Sequence, residues 1–294
     1  IAARGQHLVA IWPTRGAGWG GSGPMASAIS DDGGQSWQAG PDPAGEGLRT
    51  REAFVDIAAG QDGAFHAVWL DSSTGQQGLH YARSTDGGRH WADALTIDPG
   101  TCECCWNTLR PVSDGHLYVL YRNVDPRDMG LAVSSDAGVS WQRRGPVGDF
   151  RWQFNACPHT GGGLVVTGGA NQPTLHALVW TGKQGEMGLH YLVSRDGGHS
   201  WQLRQHLVDA TARHADMAAL DANHLAAIWD AATEAGSGIF AARSSDGGKT
   251  WSTPTRLSAP RVQAAHPRIV SVKDGFRAFW TQGDGRWATV RLRD

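Results

Sequence analysis

Long hydrophobic runs, helical periodicity and charge of one sign are all missing from this chain of 294 residues. No apolar stretch reaches the roughly 18 residues that a helical membrane span requires, so no membrane span is expected. The formal net charge is −2, and the basic residues are scattered. No stripe is therefore expected to hold nucleic acid or an anionic membrane. No linker, low-complexity tract or long 3.6-residue period marks off a second domain. Tyrosine and cysteine are scarce, with four of each; any phenol or thiol chemistry must be drawn from these eight residues. The chain opens on Ile1 without a methionine, and the expectation is a removed signal peptide, a periplasmic or secreted location and a monomer.

Glycine and tryptophan are abundant, with 40 and 14 copies, and they are not spread at random. An octapeptide, Ser-x-Asp-x-Gly-x-x-Trp, recurs five times, as SDDGGQSW (Ser30 to Trp37), STDGGRHW (Ser84 to Trp91), SSDAGVSW (Ser134 to Trp141), SRDGGHSW (Ser194 to Trp201) and SSDGGKTW (Ser244 to Trp251). Asp and Ser side chains bond nearby backbone N–H groups, Gly supplies a positive φ, and Trp restarts a strand while burying apolar surface. Each copy thus predicts a hairpin turn. Independently, apolar strands end in an aromatic residue at Trp12, Trp69, Tyr121, Trp180, Trp229 and Trp280. That makes six repeats of about 50 residues, each a four-stranded meander too small to bury both faces alone. The prediction is an all-β, six-bladed β-propeller of four-stranded antiparallel blades, one domain over residues 1–294. The sixth repeat stops at Asp294, where a box would begin. Its outer strand is expected to be missing or supplied from ahead of Ile1.

The octapeptide resembles the Asp-box, or BNR repeat, of sialidase-like β-propellers. The resemblance implies a structural role for the box carboxylates Asp32, Asp86, Asp136, Asp196 and Asp246. It also implies that ligands meet the loops at the opposite ends of the strands. A sialidase needs three arginines on the substrate carboxylate, a Tyr–Glu nucleophile pair and an acid/base Asp. The arginine motif expected ahead of the first box is absent, and the strand leading into the sixth blade, AHPRIVSV, has no tyrosine. Tyr81, Tyr118, Tyr121 and Tyr191 all fall in second or third strands, and only Tyr121 lies near a loop. Sialidase activity is not expected. CECC, YRN followed by RDM, and CPHTGGG are similar to a bacterial branch of sialidase-like proteins without the sialidase catalytic set.

The loops opposite the boxes hold what does not repeat. Cys102, Cys104 and Cys105 lead into the third blade, and Cys157 and His159 into the fourth. Thiolates with an imidazole neighbour form a soft ligand set, suited to Cu(I) and, if four ligands close a tetrahedron, to zinc. The alternative is two disulfides among the four cysteines; one between adjacent Cys104 and Cys105 would be strained. Arg122, Arg127, Asp128 and Met129 lie on the same face. The two arginines either pair with Asp125 and Asp128 or face an anion. His214, Met217 and His266 are also on that face, the histidines as hydrogen-bonded loop residues or ligands and Met217 as core or ligand. Glu52, Asp56, Glu103 and Asp216 are carboxylates there without an evident partner. The leading expectation is a copper-binding propeller, with a small ligand or a metal-trafficking protein as partner. A glycoside hydrolase, or a disulfide-bonded scaffold for glycan or protein, is the alternative.

Overall fold

The computed structural model describes residues 1–16, 21–45, 52–72, 77–112, 115–169, 172–234 and 236–292. Their strands form six antiparallel sheets in chain order. Blade one is Ala2–Arg4, His7–Arg15, Ser22–Ser30 and Gln38–Gly40; blade two is Ala53–Ala59, Phe65–Asp71, Gly78–Ser84 and Leu95–Asp98. Blade three is Thr108–Pro111, Leu117–Arg122, Met129–Ser134 and Gln142–Pro146; blade four is Gly162–Thr167, Thr174–Thr181, Gly188–Ser194 and Gln202–Val208. Blade five is Ala212–Ala219, Leu225–Thr233, Gly236–Ser244 and Thr255–Arg256, and blade six is Ala264–Val272, Gly275–Gln282 and Trp287–Leu292. This is the six-bladed propeller that the repeats predict. Among the described residues the sixth blade has three strands, so no fourth strand is seen against Trp287–Leu292. No helix of the described residues is long and apolar enough to cross a membrane.

By contacts the residues divide into two compact units, one of Ile1–Gly145 with Phe154–His159, the other of Pro146–Gln153 with Thr160–Asp294. In the first unit, blades one and two share a core of Val9, Ile11 and Met25 with Phe65 and Trp69. Blades two and three share Val68, Leu79 and Tyr81 with Leu117, Val119 and Tyr121. In the second, Trp180 and Leu189 meet Met217 and Trp229, and Ile228 and Ile239 meet Phe276 and Trp280. The middle strands are covered on both faces, which explains why Phe65–Asp71 is buried throughout instead of alternating.

Each Asp-box closes on itself. In the first, Ser30 Oγ donates to Asp32 Oδ1 at 2.8 Å and accepts from Gly34 N at 2.8 Å, while Asp32 Oδ1 and Oδ2 accept from Ser36 N and Oγ at 2.9 and 2.6 Å. The boxes of Asp136, Asp196 and Asp246 repeat this pattern; in that of Asp86, His90 Nδ1 takes the hydroxyl's place at 2.5 Å. The carboxylates of Asp32, Asp136 and Asp246 are held down at about 2, first by the hydroxyl donors. Each of these carboxylates accepts from donors of its own turn. The box tryptophans, expected to bury a large surface, are only half-buried, and Trp37 is exposed. The fully buried indoles are instead Trp69 and Trp229 in second strands, where both faces of the sheet are covered.

The turn needs two successive positive-φ residues, not one. In the third box these are Ala137 (φ 58°) and Gly138 (φ 88°). The other four boxes have glycine at both positions. An L-residue in this region costs roughly 1–2 kcal/mol. Ala137→Gly is therefore expected to raise stability by about 1 kcal/mol, after the entropy glycine loses on folding, as read by urea denaturation.

Beneath two of the boxes lies a second repeat. In the first unit, His66 Nδ1 hydrogen-bonds Tyr81 Oη at 2.7 Å, and the Tyr81 ring meets Trp141 edge-on at 5.0 Å. In the second, His176 Nδ1 bonds Tyr191 Oη at 2.7 Å, and Tyr191 meets Trp251 at 5.0 Å. The glycines at 138 and 248 lie over these phenols; each member follows its counterpart by 110 residues (66 and 176, 81 and 191, 138 and 248, 141 and 251). Burial depresses both His66 and His176 to about 4. The unfolded chain, with histidine near 6.5, binds the extra protons first, so their contribution is complete above pH 6.5 and is lost as pH falls toward 4. Each costs on the order of 3 kcal/mol by pH 4. Urea midpoints should fall steeply between pH 6.5 and 4.5, with neither imidazole titrating by NMR above pH 5.

Candidate metal centre and the loops around it

The segment from Thr101 to Asn107 joins the outer strand of blade two to the inner strand of blade three, and backbone pairing sets its course. Thr101 bridges Asn123 across from the turn after Leu117–Arg122, Cys102 N donates to Arg122 O at 2.9 Å, and Thr101 N to Gln77 O at 3.2 Å. Asn107 Nδ2 donates to Phe54 O at 2.9 Å, and Phe54, at φ 53°, packs edge-on against Trp106 at 4.9 Å. The chain thus curls back on itself, and its three cysteines face inward in one cluster beside Phe54.

Cys102, Cys104 and Cys105 are 1 %, 0 % and 1 % exposed, and all four cysteines are free thiols. The Sγ atoms lie 3.5 Å (102–104), 3.3 Å (102–105) and 3.9 Å (104–105) apart. A thiolate–metal bond of about 2.3 Å places the sulfurs of a trigonal or tetrahedral set roughly 3.8–4.0 Å apart. Movements of a few tenths of an ångström bring the triad to that geometry, and these three are the described group able to hold a metal ion. The proton distribution is uneven. Thiol donation from Cys104 and Cys105 holds Cys102 well below the ordinary thiol range. Cys104 is raised because it donates to its neighbours, and burial pushes Cys105 up to about 12. Arg127 also favours the Cys102 thiolate, and Arg122 that of Cys105.

Those arginines come from the turn of blade three. Arg122 is buried and donates through Nη1 to Arg127 O; Arg127 Nε donates to Phe154 O at 2.9 Å. Arg127 thereby ties down the segment carrying Cys157. The Cys157 thiol is half-buried, donates to Glu103 Oε1 at 3.6 Å and packs against the cluster of three cysteines. Burial raises it. His159 is exposed at φ 54° on this segment, outside the group of three sulfurs. Asp128 and Met129 are buried at the end of the same turn, also outside that group.

The remaining face residues have structural partners. Asp56 Oδ2 accepts Leu109 N of the next blade at 2.8 Å, and Asp216 Oδ2 accepts Ile269 N at 3.1 Å. Both follow a break in register, between Ala53 and Asp56 and between Ala212 and Ala215. The bulge re-aims the carboxylate toward the neighbouring sheet. Glu52 Oε2 likewise accepts Met25 N at 2.6 Å. Met217 packs in the core of blades four and five. Asp230, which the sequence reading did not single out, accepts His214 N at 2.9 Å, His214 Nδ1 at 2.8 Å and His266 N at 3.0 Å. It ties the two histidine loops together, and the rings lie 4.2 Å apart between centroids. Burial opposes ionisation of Asp230, but the His214 ring and the two amides outweigh it and hold the carboxyl low. All four tyrosines are raised by burial, and Tyr121 donates to Asp98 at 2.8 Å, so none has an activated phenol.

The BNR/Asp-box repeat family matches residues 28–39, the first box. Among solved structures, a Hadza microbial sialidase superposes with a TM-score of 0.63 over 99 % of this chain, at 16 % identity. This is an Asp-box β-propeller of sialidase-like fold. A polysaccharide lyase, an ulvan lyase, superposes at 0.61 over 98 % of the chain and 76 % of its own, with 10 % identity. The Aleuria aurantia lectin superposes at 0.58 over 97 % and 90 %, with 14 % identity. The chain spans 64 % of the length of the sialidase it matches. No curated protein matches it by sequence. At such identities the likeness concerns the fold, and the propeller's chemistry has to be read from its own side chains.

Proposed function

We propose that this propeller, a single domain in the periplasm or secreted, binds one soft metal ion, Cu(I), through Cys102, Cys104 and Cys105. The observation that carries this reading is the buried thiol triad with all three sulfurs within 4.8 Å of one another. Soft thiolates in a dry pocket select Cu(I) or zinc over hard cations. Two further features favour copper. Cu(I) is content with three thiolates, whereas zinc seeks a fourth ligand, and both Cys157 and His159 lie outside the group of three. Three thiolates around Cu(I) form a dianion, which the Arg122 and Arg127 guanidinium groups offset; the zinc equivalent carries one negative charge fewer.

The fully reduced protein is expected to take one Cu(I) per chain in anaerobic competition against a chromophoric chelator, with a thiolate-to-copper charge-transfer band. Zinc binding at least as tight as Cu(I) binding, or no uptake of either, would overturn the assignment.

A further inference from the structure

We propose that Cys157 is the thiol through which Cu(I) reaches the buried triad, taking the ion from a thiolate-bound donor. This rests on the metal-binding reading above and adds a route and a class of partner to it. The triad sulfurs belong to residues with 0–1 % exposure, so an incoming complex does not meet them directly. Cys157 is partly exposed and packs against the cluster. It therefore has one side toward solvent and one toward the buried thiols.

Its position is built by tertiary contacts. Phe154–His159 belongs to the same compact unit as the triad, although the residues flanking it in sequence belong to the other. Arg127 holds it through Phe154 O, and Glu103 accepts from the Cys157 thiol. Glu103 is itself exposed between two triad cysteines, so one short stretch carries both the buried ligands and the partner of the outer thiol.

Soft ions bound by thiolates move by ligand exchange, in which an incoming sulfur attaches before the outgoing one leaves. Here a bond forms between Cys157 Sγ and Cu(I) while the bond from Cu(I) to the donor sulfur breaks. The Cys157 proton departs with the donor, which leaves as a free thiol. A triad cysteine then displaces Cys157 in the same manner, its proton returning to Cys157; the other two complete the set, and the thiol proton they release leaves with the last donor sulfur as a second free thiol. Copper stays in the +1 state throughout, and no oxidant or reductant is required. The donor is a thiol-rich Cu(I) carrier, a small thiol complex or a protein with exposed cysteines.

The test is stopped-flow transfer of Cu(I) from its glutathione complex to the full, reduced chain, compared with Cys157→Ser and Cys157→Ala. Transfer is expected to slow by about tenfold or more, while end-point affinity by chelator competition stays within a factor of about three. Loading from the weakly held acetonitrile complex should give both variants full occupancy, which separates a blocked route from a damaged site. Unchanged transfer rates overturn the proposal and leave the triad reading intact. A parallel loss of affinity and rate also overturns it, making Cys157 an equilibrium ligand. A wild-type chain that takes up no Cu(I) removes the metal reading itself.

Discussion

Cys102→Ser is expected to weaken the proposed Cu(I) binding by more than the roughly 100-fold that loss of even an outer-shell partner costs. Cys102 occupies the shared corner of the triad, 3.5 Å from Cys104 and 3.3 Å from Cys105, and it is the sulfur that the other two stabilise as a thiolate. Without it, the remaining pair at 3.9 Å offers two ligands, both bearing protons that must be displaced. Serine is smaller and hard, and a poor ligand for a soft ion. Chelator competition on wild type and variant gives the ratio. The urea midpoint of the metal-free variant shows that the propeller is still folded, since the triad lies in a loop outside the strand ladders. A variant that keeps wild-type affinity would leave the triad without a metal-binding role.

Gly138→Ala, like its counterpart Gly248→Ala, is expected to cost the fold heavily for its size. A Cβ there would lie 1.9 Å from Tyr81 Oη and 2.3 Å from Cζ, at a φ of 88°. The ring cannot withdraw, because His66 bonds its hydroxyl and Trp141 abuts its edge. Overpacking of about 1–3 kcal/mol adds to about 1–2 kcal/mol for the backbone, giving a loss of several kcal/mol in urea unfolding. Gly197→Ala is the control. It has a similar φ of 70° but nothing within 4 Å, and so carries the backbone term alone. Equal losses at the two positions would mean that the Tyr81 contact does not constrain the box.

These two sites differ in how legible they were. The box glycine is visible in any one copy of the octapeptide, and the 110-residue period is the spacing of the boxes at Ser134 and Ser244; the His–Tyr pair beneath each lies outside the octapeptide and is not announced by it. Cys102, Cys104 and Cys105 are close in sequence, so local geometry was bound to bring some of them together. His159 is two residues from Cys157 yet stays outside the group, because an exposed turn can point neighbouring side chains in unrelated directions. Asp56 and Asp216 read as loose carboxylates because the bulges that turn them onto Leu109 N and Ile269 N depend on strand register. Asp230 had no motif at all; its importance comes from two amides and a ring supplied by separate loops.

The sequence by itself determined the number of blades, the turn chemistry of five boxes and the strand ends that carry the non-repeating loops. Those follow from short-range rules, alternation of apolar residues, side-chain bonds to nearby amides and glycine's access to positive φ. Only the tertiary structure decided that Cys157 packs against the other three thiols, which carboxylates serve as staples and where Arg127 is anchored. Each of those depends on contacts between residues tens of positions apart, such as Arg127 with Phe154 and Asp56 with Leu109. Such contacts exist only once neighbouring sheets have packed and their register is set, and no local pattern encodes them.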